Sequence, residues 1–238
     1  MQRSTTIQTL TAGLLAAALT LAAGCGPNDD TPQARLVDAQ MAIDKGNFAT
    51  AETLLLTFCT DPLLPATCDP AVLETLAEAQ LGQGGVDTIS FINAVGASTA
   101  LSTFDLVRAM VGGTTDLVAV AAQVASLERA MTTLLTITPP RTANQELLMA
   151  MANSTHLVLA ISLATSNGAG AVPAGLGAAV AADLNAMVVA TGNVVIAVGG
   201  ATSTTDKLNA LAGQVGATGT PLTLSDANLQ TFVTGYAW

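Results

Sequence analysis

Three cysteines and a single histidine are the side chains of this 238-residue sequence with the most chemistry to offer. Cys59 and Cys68 stand nine residues apart, and Cys25 stands alone near the start. In an exported chain an odd count leaves one thiol free or bonded between molecules. A catalytic dithiol is more often Cys-x-x-Cys, and a zinc site needs ligands that one histidine cannot complete. His156 has Ser154 and Thr155 as neighbours, but residues 154 and 156 of a helix point about 200° apart. Ser154 is therefore a poor partner for a nucleophile–histidine–acid arrangement, and His156 is expected to be a hydrogen-bonded core residue. Asp29-Asp30 and the scattered carboxylates lack the alternating spacing, glycine and terminal glutamate of a calcium loop. Gly168–Gly177 is glycine-rich but has no Lys-Ser/Thr and follows no strand, so it reads as a solvated hinge and not a phosphate loop. These side chains assemble no catalytic group, and the sequence predicts a non-enzymatic protein without metal or cofactor.

Chemistry of another kind is placed at the N-terminus. Arg3 gives a cationic start, residues 10–23 are apolar or small, and Leu21-Ala22-Ala23-Gly24-Cys25 closes the run. That order is a secretory leader with a small-residue processing site. The run is too short for a membrane-spanning helix, which needs about 20 apolar residues. The five closing residues resemble a bacterial lipobox, with Ala22 where leucine is more usual. The resemblance implies cleavage before Cys25, acylation of its thiol and amine with three chains, and stable anchoring, since two lipid signals already suffice. Gly26, where an aspartate often marks inner-membrane retention, implies the outer membrane, facing the periplasm. Residues 26–32 form a polar tether. With Cys25 lipidated, Cys59 and Cys68 remain as a pair, expected to form a disulfide across a loop rich in Pro and Asp.

Composition narrows the partners. Loss of Arg3 with the leader leaves six basic against 17 acidic residues, a net charge of −11. That balance argues against nucleic acid and against electrostatic docking on anionic lipid. Aromatics make up 3% of the chain, so small side chains must build the core. Residues 171–200 come nearest to a second membrane span, but Pro173, Asp183, Asn185, Thr191 and Asn193 divide them.

The elements that must position these residues read as helices throughout, which makes the fold class all-α. Helices are expected at 33–45 (Leu36, Ala39, Ala42, Ile43 on one face), 48–58 (Phe48, Ala51, Leu54, Leu55, Phe58), 70–82 (Leu73, Leu76, Ala77, Gln80) and 86–95 (Ile89, Phe91, Ile92). Further on they are expected at 102–111, with Ser102 as N-cap, 115–137, 143–166 and 174–191. Leu117, Val120, Val124, Leu127, Met131 and Leu134 form a seam along 115–137, with Glu128 and Arg129 off it. Pro139-Pro140 ends that helix. The 143–166 helix is apolar nearly all round, as a central helix is. Gly192 punctuates the chain before residues 193–198, which read as helical, followed by helices near 205–215 and from Ser225 or Asp226 to Tyr236. Tyr236 and Trp238 are expected to cap the core.

Residues 33–97 resemble the tetratricopeptide repeat, whose unit is two helices joined by a glycine-containing tight turn. Ala39 and Ala42 match the small positions of the first helix, Gly46, Asn47 and Phe48 the turn, and Ala51 the small residue of the second. Leu76 and Ala77 match the next first helix and Gly84 its turn, with the cysteine loop as a four-residue insertion. A plain antiparallel bundle has nearly the same sequence requirements. The organisation is thus a leader (1–24), a tether (25–32), repeat-like helices (33–97) and a bundle (98–238). The resemblances imply an envelope lipoprotein that offers a helical surface to an envelope protein partner. The alternative is a carrier for a lipid or other hydrophobic molecule held between the helices at 115–137, 143–166 and 174–191.

Overall fold

A computed structural model of the chain describes residues 32–59, 68–86, 103–110, 116–198 and 210–238. The leader, Cys25, Asp29-Asp30, the tether before residue 32, Ser102 and the helix expected at 86–95 from residue 87 onward lie outside the described residues. Within them the fold is all-α. Helices run as α1 (Pro32–Asp44), α2 (Phe48–Leu56), α3 (Pro70–Gln83), α4 (Thr103–Met110), α5 (Leu117–Thr136), α6 (Ala143–Ala164), α7 (Leu176–Val198) and α8 (Asp226–Gly235). Residues 210–214 are also helical, and one bridge pairs Thr218 with Thr223.

Local signals explain where these helices begin and end. Asp69 accepts from the Ala71 amide ahead of Pro70, and Asp116 does the same for Val118. Thr142 and Gln145 form a reciprocal capping box on α6, and Ser225 accepts from the Asn228 amide on α8. Gly46 adopts φ +73°, and the Gly46 and Asn47 amides bond back to Ile43 and Ala42 at 2.8 Å each. That is the left-handed stop that glycine tolerates without strain. At the end of α3 Gly84 is the C-cap, right-handed at φ −71°, and Gly85, with φ +84°, supplies the left-handed residue of the turn. Gly84 also has to be small, because a Cβ there would lie 2.7 Å from Leu127 Cδ2 of α5.

Side-chain pairs fix the helix directions. Arg35, early in α1, reaches Thr57 at the end of α2. Gln80 of α3 bonds Thr133 of α5 while Gln83 bonds Arg129, so residue numbers rise on one helix as they fall on the other. His156 meets Asp183 while Glu146 meets Asn193, which sets α6 and α7 antiparallel, and Glu128 of α5 flanks His156 from the other side. Helix α6 also packs against α3 and α4. Fifteen of its 22 residues are buried, as its all-round apolar pattern predicts. One hydrophobic cluster runs from Ala39 to Val233. On the α5 seam Val120, Val124, Leu127 and Leu134 are buried and Leu117 and Met131 half-buried, while Glu128 and Arg129 are exposed.

Two further expectations change. Gly192 does not interrupt the chain, and α7 continues through it to Val198. A helix-interior glycine costs only about 1 kcal/mol relative to alanine, and packing along the long α6–α7 contact outweighs that. The Gly168–Gly177 stretch is no free hinge either. The Val172 amide donates to Gln230 and the Gly175 and Gly177 amides to Asp226, which tie it to α8.

Candidate functional site

The lone histidine of the sequence is the hub of a three-helix contact. Helix α6 carries His156 between α5 and α7. Its Nδ1 lies 2.7 Å from Asp183 Oδ2, and its Nε2 lies 3.7 Å from Glu128 Oε1. The His156 and Asp183 side chains are 15% and 14% exposed, whereas Glu128 is 61% exposed. Burial opposes the imidazolium, but the hydrogen bond and charge of Asp183, with a further contribution from Glu128, outweigh it. The His156 pKa is therefore raised above its ordinary 6.5. Ser154 donates instead to the Met151 carbonyl, and Thr155 is 1% exposed. Both ring nitrogens face carboxylates, an arrangement that suits a charge clamp between helices.

Asp183 is the partner that the sequence reading missed, although a signal existed. A lone carboxylate in an otherwise apolar helix needs a compensating group, and the only histidine lies on the neighbouring helix.

A second polar network joins α2, α3 and α5. Glu52 accepts from Gln80 at 3.0 Å and Gln83 at 2.7 Å, and Arg129 lies 3.4 Å away. Gln80, 4% exposed, accepts in turn from the Thr133 hydroxyl at 2.9 Å. Burial pushes the Glu52 carboxyl up, and these donors more than offset it, so its pKa is lowered. Glu74 takes the Asn144 and Gln145 amides at 2.6 and 2.7 Å. Buried Glu146 meets Asn193 at 3.0 Å and Arg141 at 4.0 Å. Burial raises the pKa of Glu78, helped by the charges of Glu74 and Asp44.

The repeat-motif residues divide by role. Ala39, Ala42, Ala51, Leu76 and Ala77 are buried, four of them fully. Phe48 opens α2 directly after the turn, where the 48–58 helix was expected to start, and its ring covers Gly82 of α3. Asn47 makes no side-chain cap on α2. Cys59 and Cys68 sit at disulfide distance, their Cα atoms 4.3 Å apart and both residues buried.

At the other end of the molecule Phe104, Phe232, Tyr236 and Trp238 gather. Phe104 is fully buried, with the Phe232, Tyr236 and Trp238 rings at 5.0, 4.8 and 6.0 Å. The Tyr236 hydroxyl bonds Asp105, and the Arg108 guanidinium lies over the Tyr236 and Trp238 rings. Burial and the Asp105 contact raise the Tyr236 pKa. Trp238 covers Gly168 and donates to the Val233 carbonyl, the capping role expected of it.

Among the described residues no group of three or more His, Cys, Asp or Glu side chains is placed to hold a metal ion. Helix α6 is long and apolar enough to cross a membrane, but 72% of its most apolar stretch is buried within the protein. That burial is the pattern of a core helix. No protein-family model matches the chain, and no curated protein or solved structure is significantly similar to it.

Proposed function

We propose that the protein is a non-enzymatic envelope lipoprotein, lipidated at Cys25 after removal of residues 1–24. It is held on the outer membrane facing the periplasm and acts as a helical scaffold for an envelope protein partner. The observation that carries this reading is how the polar groups of the α2–α3–α5–α6–α7 stack are used. Glu52, Gln80, Glu74, Glu146, His156 and Asp183 all bridge one helix to another, which serves rigidity, not turnover. Helix α1 leaves Val37 and Met41 exposed four residues apart, at 42% and 44%. Residues at that spacing share a helix face and would give a partner an apolar strip.

The tetratricopeptide-like reading of residues 33–97 is supported by the small residues at the α1–α2 contact and by the glycine turn at Gly46. The carrier alternative draws less support. Leu127, Leu134, Leu148, Leu157, Leu184 and Met187 are all fully buried on α5, α6 and α7, so protein side chains already occupy that interior.

In-cell crosslinking of the lipidated protein, with Cys25→Ser as control, tests the proposal by mass spectrometry of recovered proteins and lipids. A stoichiometric envelope protein, captured by the lipidated form and lost with Val37→Asp/Met41→Asp, is expected. A specific lipid recovered without a protein partner would overturn the scaffold in favour of the carrier.

A further inference from the structure

One face of α1 is exposed, and its chemistry is mixed. Val37, Met41 and Asp44 follow one another at i, i+4 and i+7, a spacing that places all three along a single helix face. Val37 and Met41 are exposed, and so is Asp44, which accepts from Gln40 at 3.3 Å. Ala39 and Ala42, on the other side of the helix, are buried.

Carboxylates gather at the Asp44 end of this strip. Glu78 of α3 is half-buried there, and burial together with the charges of Glu74 and Asp44 raises its pKa. These like charges lie close enough to oppose one another. Asp38 is exposed on the flank of the strip. Arg35 turns away to Thr57 of α2, and exposed Lys45, next to Asp44, offsets only part of the acidic charge.

We propose that this face docks a cationic amphipathic helix of the envelope partner, an inference that rests on the scaffold reading. An amphipathic helix laid along α1 repeats its apolar side chains at the same spacing. Two of them, one turn apart, cover Val37 and Met41. A lysine or arginine a turn further on meets Asp44 and Glu78. That cation relieves the repulsion among the carboxylates, so charge complementarity selects a basic occupant over a neutral one. A second copy of this chain, with its net charge of −10, would add to the repulsion.

The test is a titration of a labelled Leu/Lys amphipathic helical peptide with the full chain carrying Cys25→Ser, followed by fluorescence anisotropy. Its Leu/Glu counterpart is the control. Saturable binding of the Lys peptide is expected, weakening as salt shortens the screening length from about 10 Å at 0.1 M to about 3 Å at 1 M. Val37→Ser/Met41→Ser should bind at least about tenfold more weakly, through lost apolar contact. Asp44→Asn/Glu78→Gln should bind about threefold to tenfold more weakly, as two partly exposed ion pairs would give. Glu128→Gln, which removes one negative charge from α5, should leave the affinity unchanged. Thermal unfolding checks each variant, and Met41→Gln replaces the first pair should that pair unfold. Equal affinity in the native chain and Val37→Ser/Met41→Ser would reduce the binding to bulk charge and overturn the proposal. Equal affinity for the Leu/Glu peptide would overturn it too. The scaffold reading fails separately, by in-cell crosslinking that captures no envelope protein. Capture that is lost with Val37→Asp/Met41→Asp but survives Asp44→Asn/Glu78→Gln would keep the scaffold and overturn the cationic partner.

Discussion

Replacing His156 with glutamine keeps a neutral hydrogen-bond donor near Asp183 but removes the charge that the clamp is built to hold. Bonds to charged groups contribute about 1.5–3 kcal/mol, glutamine to carboxylate falling at the lower end and imidazolium to carboxylate at the upper. The native chain should therefore exceed His156→Gln by about 1–2 kcal/mol when the imidazole is protonated. For a domain of this size that is about 2–8 °C in Tm, at 2–4 °C per kcal/mol. Solvent screening takes little of this, because His156 and Asp183 are each about 15% exposed. Glu128 is 61% exposed, so Glu128→Gln should change stability by less than about 1 kcal/mol, as surface ion pairs do.

The pH dependence has a definite sign. The folded pKa of His156 lies above the ordinary 6.5. The stabilisation is thus complete below 6.5 and fades as pH rises through the folded value. Calorimetric scans of both proteins between pH 5.5 and 9 check this, since other titrations cancel in the difference. The gap should be largest at acid pH and shrink toward alkaline pH. A gap that stays constant, or widens as pH rises, would refute the charge-clamp reasoning.

Other perturbations reach different parts of the fold. Gly177→Ala would place a Cβ 2.7 Å from the Leu224 carbonyl and 2.8 Å from Ser225. The backbone there cannot yield easily, so a loss of about 1–3 kcal/mol is expected in urea unfolding. Thr133→Val removes the hydroxyl that donates to buried Gln80 and should cost about 1–3 kcal/mol through that orphaned acceptor, again read by urea unfolding. Cys59→Ser with Cys68→Ser opens a loop of about ten residues, and the chain-entropy model gives a loss of about 2.5–3 kcal/mol; the oxidised native chain should melt correspondingly higher. Asp226→Asn weakens the acceptor shared by the Gly175 and Gly177 amides, so hydrogen exchange at both should quicken. Those amides lower the Asp226 pKa, so the clamp is present above the ordinary 3.8 and is lost as pH falls through the folded value.

Periodicity and termination signals carried most of the fold. The apolar seam of α5, the all-round burial of α6, the Ser225 start of α8 and the Gly46 turn all follow from local chemistry. Helix propensity, capping and left-handed glycine act within a few residues, so the order of side chains alone determines them. The exceptions were interactions between helices. Sequence placed the second turn at Gly84, where the helix does end, but could not show that Leu127 of α5 also crosses that position and leaves no room for a side chain. Sequence read Gly192 as a break, but the α6 surface holds α7 together through it. It read Gly168–Gly177 as a hinge, because Asp226 and Gln230 lie about 50 residues further on.

His156 was marked as a hydrogen-bonded residue, but its identity as one arm of a clamp required Asp183 and Glu128 to arrive from two other helices. The cluster of Phe104, Phe232, Tyr236 and Trp238 likewise exists only once α8 and the residues after it are brought against α4. Local backbone preferences are written residue by residue. Which charges meet, and which faces leave a gap, depends on the register of distant helices, and only packing sets that register.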